Sequence, residues 1–190
     1  MGDTQLTKRE RTRQRILAAA LELFDRHGYD RTTTAQIASA AGVSEMTLFR
    51  HFASKDRLLL DDPYDPVIAA AVADQPADRP ALDRVIAGVR AAWRSVPEPA
   101  EQEVRRRMRI AAQSPGLAAA IRGNTRVTEE AIAAALAGTG VDPLTARIAA
   151  AATLAALMEA LTAWAIGPGE TPLDDVIRLA LDVLDGAESR

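Results

Sequence analysis

The chain has 190 residues, 48% hydrophobic and 26% charged, enough to bury a sizeable core as one domain or as a small domain fused to a larger one. It contains no cysteine, which excludes disulfides and thiol chemistry, and its polar, basic N-terminus is unlike a secretory signal, so the expected location is cytoplasmic. The net charge of −3 hides an asymmetry: ten basic and seven acidic residues over 1–57 make that part +3 and the remainder −6, a basic head on an acidic body that would orient on a polyanion.

Helical periodicity runs through the whole chain and no segment alternates like a strand, so the fold is expected to be all-α with about nine helices. Thr7-Lys8-Arg9-Glu10 reads as a capping box that opens a first helix, which stops at Gly28. Ile16, Ala20, Leu23 and Phe24 form its inward stripe. Thr33-Thr34-Ala35-Gln36 is a second capping box. After it, IASAAGVSEMTLFRHF over 37–52 reads as helix, tight turn, helix. Gly42 can take the left-handed conformation, Val43 is expected as a buried wedge, and Ser44 is a good N-cap. Leu48 and Phe52 lie four apart and face inward, which leaves Glu45, Met46, Thr47, Arg50 and His51 outside. This is the helix-turn-helix geometry that fits a DNA major groove.

The spacing places a fourth helix from Lys55 with Ser54 as cap. Pro63 and Pro66 then interrupt it: either Asp62 caps a restart over 63–73 or one kinked helix continues. Asp61, Asp62 and Asp65 read as caps and turn formers there, in preference to a metal loop. DQPADRP over 74–80 is a loop, and further helices are expected over 80–95, 98–113, 115–137, 143–166 and 172–185. Arg105, Arg106, Arg107 and Arg109 read as a solvated face paired with Glu101 and Glu103. Residues 148–166 are almost uncharged, but their alanine content and Glu159 favour a buried helix over a membrane span.

The pattern carried by Ile16, Ala19, Leu23, Phe24, Gly28, Tyr29, Thr33, Thr34, Ile37, Ala38, Ala41, Gly42, Val43, Ser44, Thr47, Leu48, Phe49, His51, Phe52 and Lys55 resembles the tetracycline-repressor-like (TetR) family of bacterial transcription regulators. It spans roughly the first 60 residues; the rest agrees with the family only in length and helical character. The resemblance implies a three-helix DNA-binding head over 1–54 and a helical ligand-binding and dimerisation bundle over 55–190. It also implies that Thr33, Thr34, His51 and Lys55 meet the phosphate backbone, where a helix start offers free amides. The plain alternatives are caps for the threonines and a surface role for the lysine.

On the second helix of the motif, Ser44, Glu45, Met46, Thr47, Phe49 and Arg50 are the remaining candidates for DNA contact. Glu can accept from cytosine N4, Met can pack on a thymine methyl, and Arg can pair with guanine or hold phosphate. Glu45 can equally serve only to favour the helix start. Phe49 stands where the family commonly has Tyr, so any contact there is apolar. The basic run from Lys8 to Arg15 reads as a solvated face or as an arm along the DNA. His27 and His51 are the only histidines, so no metal site is expected, and no cofactor.

In the larger part, helices 143–166 and 172–185 are expected to form a homodimer interface. The first carries a small-residue stripe of Ala149, Ala152, Ala156, Ala160 and Ala163; the second carries Leu173, Val176, Ile177, Ala180 and Leu184. Thr125 and Thr128 interrupt the apolar stripe of helix 115–137; either they line a pocket or Gly123-Asn124 breaks the helix. Trp93, Met108 and Met158 are candidate apolar walls for a small-molecule effector of unknown identity, which the resemblance implies. The expected function is a transcription repressor, released by that effector from palindromic double-stranded operator DNA, with no membrane partner. An architectural DNA-binding protein and a helical enzyme are the rivals. The length of 58–190 argues against the first; the lack of cysteine, of a phosphate loop and of any histidine outside the head argues against the second.

Overall fold

Local capping decides where the first helices begin and end. Thr7 Oγ1 accepts the Glu10 amide at 3.2 Å while the Glu10 carboxylate accepts the Thr7 amide at 2.7 Å, closing both ends of the box. Those bonds hold the Glu10 carboxyl below its ordinary pKa. The computed structural model describes residues 7–60, 64–95, 101–168 and 171–186. In chain order the helices are α1 (Lys8–His27), α2 (Thr34–Ala40), α3 (Glu45–His51), α4 (Arg57–Leu60), α5 (Tyr64–Ala73), α6 (Ala81–Ser95) and α7 (Glu101–Ala112). A 3₁₀ turn (Pro115–Leu117) leads into α8 (Ala118–Ala137), followed by α9 (Pro143–Ile166) and α10 (Leu173–Asp185). The fold is all-α, with no strand among the described residues.

The chain divides into two compact units. The first holds α1 to α4 together with Ile110–Ala119. Its core gathers Ile16, Ala20, Leu21, Phe24, Ile37, Leu48, Phe52, Leu58 and Leu59, joined by Ile110 and Leu117 from the later segment. Leu21 replaces Leu23 on the inward stripe of α1, and Leu23 is half-buried. Val43 is also half-buried rather than a fully buried wedge.

The second unit is built from α5, α6, α9 and α10 and most of α7 and α8. Its core includes Val85, Ile86, Val89, Ile132, Leu136, Ala150, Leu157, Trp164 and Leu181. Arg90 ties α6 to α10 through Asp182 at 2.6 Å and Asp185 at 2.9 Å. Arg84 is fully buried and donates to Thr139 Oγ1 at 2.8 Å, just past the end of α8, where the helix carbonyls favour a cation. A Cβ on Gly88 would lie 2.5 Å from Val72 Cγ2 and 2.7 Å from its Cα, so glycine is what lets α5 and α6 pack this closely. Gly88→Ala should therefore cost about 1–3 kcal/mol through overpacking. A thermal melt checks this; an unchanged midpoint would contradict the close approach.

The structure also bears on other sequence expectations. The fourth helix begins at Arg57, two residues after Lys55; with Tyr64–Ala73 assigned as a helix of its own, the described residues hold ten α-helices, in line with the expected count of about nine. Of the two readings of the polar middle of α8, the break at Gly123 and Asn124 is set aside, because the helix runs unbroken through them. The run 105–107 is not uniformly solvated: the Arg105 guanidinium stacks on the Trp164 ring at 4.1 Å and buries Nη2. The readings of Asp61, Asp62 and Pro63, and of the Asp65 and Pro66 side chains, lie outside the described residues, and with them the continuity between α4 and α5.

By length and composition α9 could cross a membrane. One of its faces instead supplies the core of the second unit through Ala146, Ala149, Ala150, Leu154 and Leu157. Only 33% of its most apolar window is buried, so the opposite face stands uncovered.

Candidate nucleic-acid interface

The turn between α2 and α3 forms because Gly42 adopts φ 64°, a conformation that other residues rarely take. Its amide donates to Ser39 O at 3.1 Å and the Val43 amide to Ala38 O at 2.9 Å, which closes α2. Ser44 Oγ then accepts the Thr47 amide at 3.1 Å and starts α3. Leu48 and Phe52 are buried at 0% and 2% exposure, which sets the rotation of α3 and leaves the rest of its surface outward.

That outer face carries Glu45, Met46, Phe49 and Arg50, all exposed, with Thr47 and His51 half-buried beside them. Met46 is 75% exposed, far more than a methionine with a packing role would be. Arg50 Nη2 donates to Thr47 Oγ1 at 3.2 Å, and Thr47 Oγ1 lies 3.0 Å from Ser44 Oγ, so the arginine is laid along the helix. Thr33 caps α2 in a reciprocal box with Gln36. Thr34 Oγ1 instead donates to Glu45 Oε1 at 2.7 Å, linking the starts of the two helices.

Lys8 to Arg15 form the first two turns of α1 rather than a free arm. Arg13 reaches the end of α3, where Nη1 donates to His51 O at 3.2 Å and the guanidinium stacks over the Phe52 ring at 4.3 Å. Partial burial, then the charges of Arg9, Arg50 and Arg13, hold the His51 imidazole below its ordinary pKa. The lowered pKa favours the neutral imidazole, which keeps one ring N–H as a donor.

Lys55 has a role that the sequence did not reveal. Its Nζ donates to Tyr29 O at 2.9 Å and Thr32 O at 3.0 Å and lies 4.0 Å from the centre of the Tyr29 ring. The ammonium thus clamps the α1–α2 loop to the start of α4. Burial, then Asp56 and Asp30, push the Tyr29 hydroxyl up to about 12. An ammonium has three donors, and two of them are used by the Tyr29 and Thr32 carbonyls. Lys55→Met should lower the thermal midpoint of this unit by the equivalent of about 1–3 kcal/mol, because two carbonyls lose a charged donor. It should also weaken DNA binding evenly across sequences and reduce the salt slope by roughly 1. A wild-type melt together with wild-type DNA binding would show the clamp to be incidental.

The second unit has a groove of about 900 Å³ between α8 and α9. Its lining includes the apolar Ile121, Leu144, Ile148 and Met158 and the charged Arg122 and Arg147. Of the five residues singled out as ligand walls, it brings together Thr125 and Met158. Thr128 is buried and donates to Asn124 O at 3.3 Å, a satisfied helix hydroxyl. Trp93 Nε1 donates to Asp174 Oδ1 at 2.7 Å, and Met108 packs on the core of the unit. Leu144 and Ile148, which the sequence reading passed over, sit at helical spacing on α9, 64% and 61% exposed. Leu173, Val176, Ile177 and Ala180 of α10 are buried within the chain itself and so cannot be offered to a partner. The uncovered apolar residues of that helix are Leu179 and Val183. Among the described residues no three His, Cys, Asp or Glu groups cluster as metal ligands.

Residues 16–61 match the family described as bacterial regulatory proteins, tetR family, and residues 79–188 match the MftR C-terminal domain. TcmR of Streptomyces glaucescens, an HTH-type transcriptional regulator, is 41% identical over 86 residues, covering 44% of this chain and 38% of that protein. The chain thus spans well under half the length of this relative. Among solved structures, SmeT, the repressor of the Stenotrophomonas maltophilia multidrug efflux pump SmeDEF, is 25% identical, with a TM-score of 0.59 over 98% of this chain and 92% of its own. The SmeT–triclosan complex shares the fold at 24% identity, with a TM-score of 0.60 over 93% of this chain and 91% of its own.

Proposed function

The chain belongs to the TetR family of bacterial regulatory proteins, and on that footing we propose that it is a sequence-specific DNA-binding transcription repressor whose hold on a palindromic operator is released by a small molecule. The observation that carries this reading is the outer face of α3. It is an exposed row of an acceptor, an apolar tip and a cation (Glu45, Met46, Arg50) on a helix whose rotation is fixed by the buried Leu48 and Phe52. N-terminal residues of such a helix are the ones that meet base edges in a major groove. Ser44, Thr47 and Phe49 complete the contact, and Thr33, His51 and the third donor of Lys55 serve the phosphates. The reading keeps the division into a DNA-binding head over 1–54 and an effector and dimer part over 55–190.

One head reads one half-site, so the operator requires two copies. The small-residue stripe of α9 (half-buried Ala152 and Ala156, exposed Ala163), with the exposed Leu179 and Val183 of α10, is the proposed dimer surface. The α8–α9 groove, on a neighbouring face of α9, is the proposed effector site. SmeT, a pump repressor also solved with triclosan, supports a regulator of this design. The relatives are regulators, so we read the chain as a cytoplasmic binding protein and not an enzyme. Analytical ultracentrifugation of the full chain tests the assembly: a dimer at micromolar concentration, with two chains per inverted-repeat duplex, is expected. A monomer that binds one half-site would contradict it.

A further inference from the structure

We infer that Thr34 is a positioning residue: its hydroxyl holds the Glu45 carboxylate so that α3 demands a base with an exocyclic amine, cytosine or adenine, at one position of each half-site. The inference rests on the reading of α3 as the DNA-contacting helix and adds what that helix selects.

The observation is the 2.7 Å bond from Thr34 Oγ1 to Glu45 Oε1, which joins the first residues of α2 and α3 across the turn. A threonine hydroxyl has a single proton. While that proton goes to Glu45, the Thr34 side chain has nothing to donate to a phosphate, and a phosphate oxygen can only accept. The side chain is thereby removed from the phosphate contacts, and only the Thr34 backbone amide remains for that purpose.

The carboxylate gains in turn. An exposed glutamate at the start of a helix samples many rotamers, and fixing one on binding costs entropy. The Thr34 bond fixes it beforehand. It occupies Oε1 and leaves Oε2 to accept from a partner. In the major groove only cytosine N4 and adenine N6 donate; guanine O6 and thymine O4 present lone pairs, which a carboxylate repels. Glu45 therefore acts by rejection as much as by attraction, since guanine or thymine opposite it would face an unpaired buried charge.

The test is selection of bound duplexes from a random library by the full-length wild type, Thr34→Val, Thr34→Ser and Glu45→Gln. The wild type should enrich an inverted repeat with one position per half-site restricted to cytosine or adenine. Thr34→Val, which keeps shape and loses the hydroxyl, should relax that position about tenfold. It should leave the other positions and the salt slope unchanged. Thr34→Ser should restore the restriction. Glu45→Gln should shift the position toward adenine, which an amide pairs with twice. A Thr34→Val protein that loses affinity evenly, with a shallower salt slope and intact preference, would make Thr34 a phosphate ligand and overturn the inference. So would a repeat in which Glu45→Gln changes no position, although the repressor reading would survive. Failure of the wild type to enrich any sequence would overturn both.

Discussion

Leu48→Ala should abolish operator binding by loosening the head, without removing any group that touches DNA. Leu48 is fully buried on the inner side of α3, in a core shared with Ile16, Ile37 and Phe52. Truncating such a leucine costs about 2–5 kcal/mol, from lost burial and the cavity left behind. Small domains are stable by only about 5–15 kcal/mol, so this is a large share of what keeps α3 in register. Met46→Ala is the matched control, because Met46 is 75% exposed on the same helix. Its melt should stay at the wild-type midpoint while base preference changes. Circular dichroism melts and gel shifts on both variants separate the cases. A Leu48→Ala protein that melts and binds like the wild type would mean that α3 is not anchored as described.

The second large effect is release. A small, mostly apolar molecule in the α8–α9 groove should weaken operator binding about a hundredfold, a coupling of about 2.7 kcal/mol and within the usual allosteric range. A covalent route for the coupling exists. Val104 and Met108 of α7 pack on the core of the second unit, while Ile110, one turn or less further on, and Leu117 are buried in the unit that holds α1 to α4. In that same unit a Cβ on Gly116 would fall 2.1 Å from Asp30 Oδ1, so the turn before α8 lies tightly against the loop after α1. The segment 101–119, which passes along the chain from one unit to the other and back, is the proposed route of coupling. By reciprocity, operator DNA must weaken effector binding by the same factor. Calorimetric titration with a screened ligand, with and without operator, reads this directly. Equal affinities would contradict the inducer scheme, and tighter binding with DNA would make the molecule a corepressor.

The parts legible in sequence are those whose physics is local. The capping boxes at Thr7–Glu10 and Thr33–Gln36, the left-handed Gly42 and the inward pair Leu48 and Phe52 each involve residues within a few positions of one another, and they define the head. What the sequence left hidden is set by distant partners. The Lys55 ammonium is taken by carbonyls of residues 29 and 32, more than twenty positions away. The Thr34–Glu45 bond spans eleven positions and two helices. Thr128 looked like a pocket lining because it interrupts an apolar stripe, yet its hydroxyl is satisfied one turn back, a possibility periodicity cannot separate from the first. Helix α10 shows the same limit. Its apolar stripe demanded a cover, and only the three-dimensional arrangement shows that α6 and α9 provide it within one chain.

Two copies of this chain are proposed to place α3 in two major grooves of one duplex. Selection of genomic or random DNA by the full-length protein at physiological salt tests it most directly. The expected result is an inverted repeat whose half-sites lie about one helical turn, or a simple multiple of it, apart, bound far more tightly than unrelated DNA. Bound DNA without an inverted repeat, held with the steep salt dependence of phosphate contact alone, would contradict it.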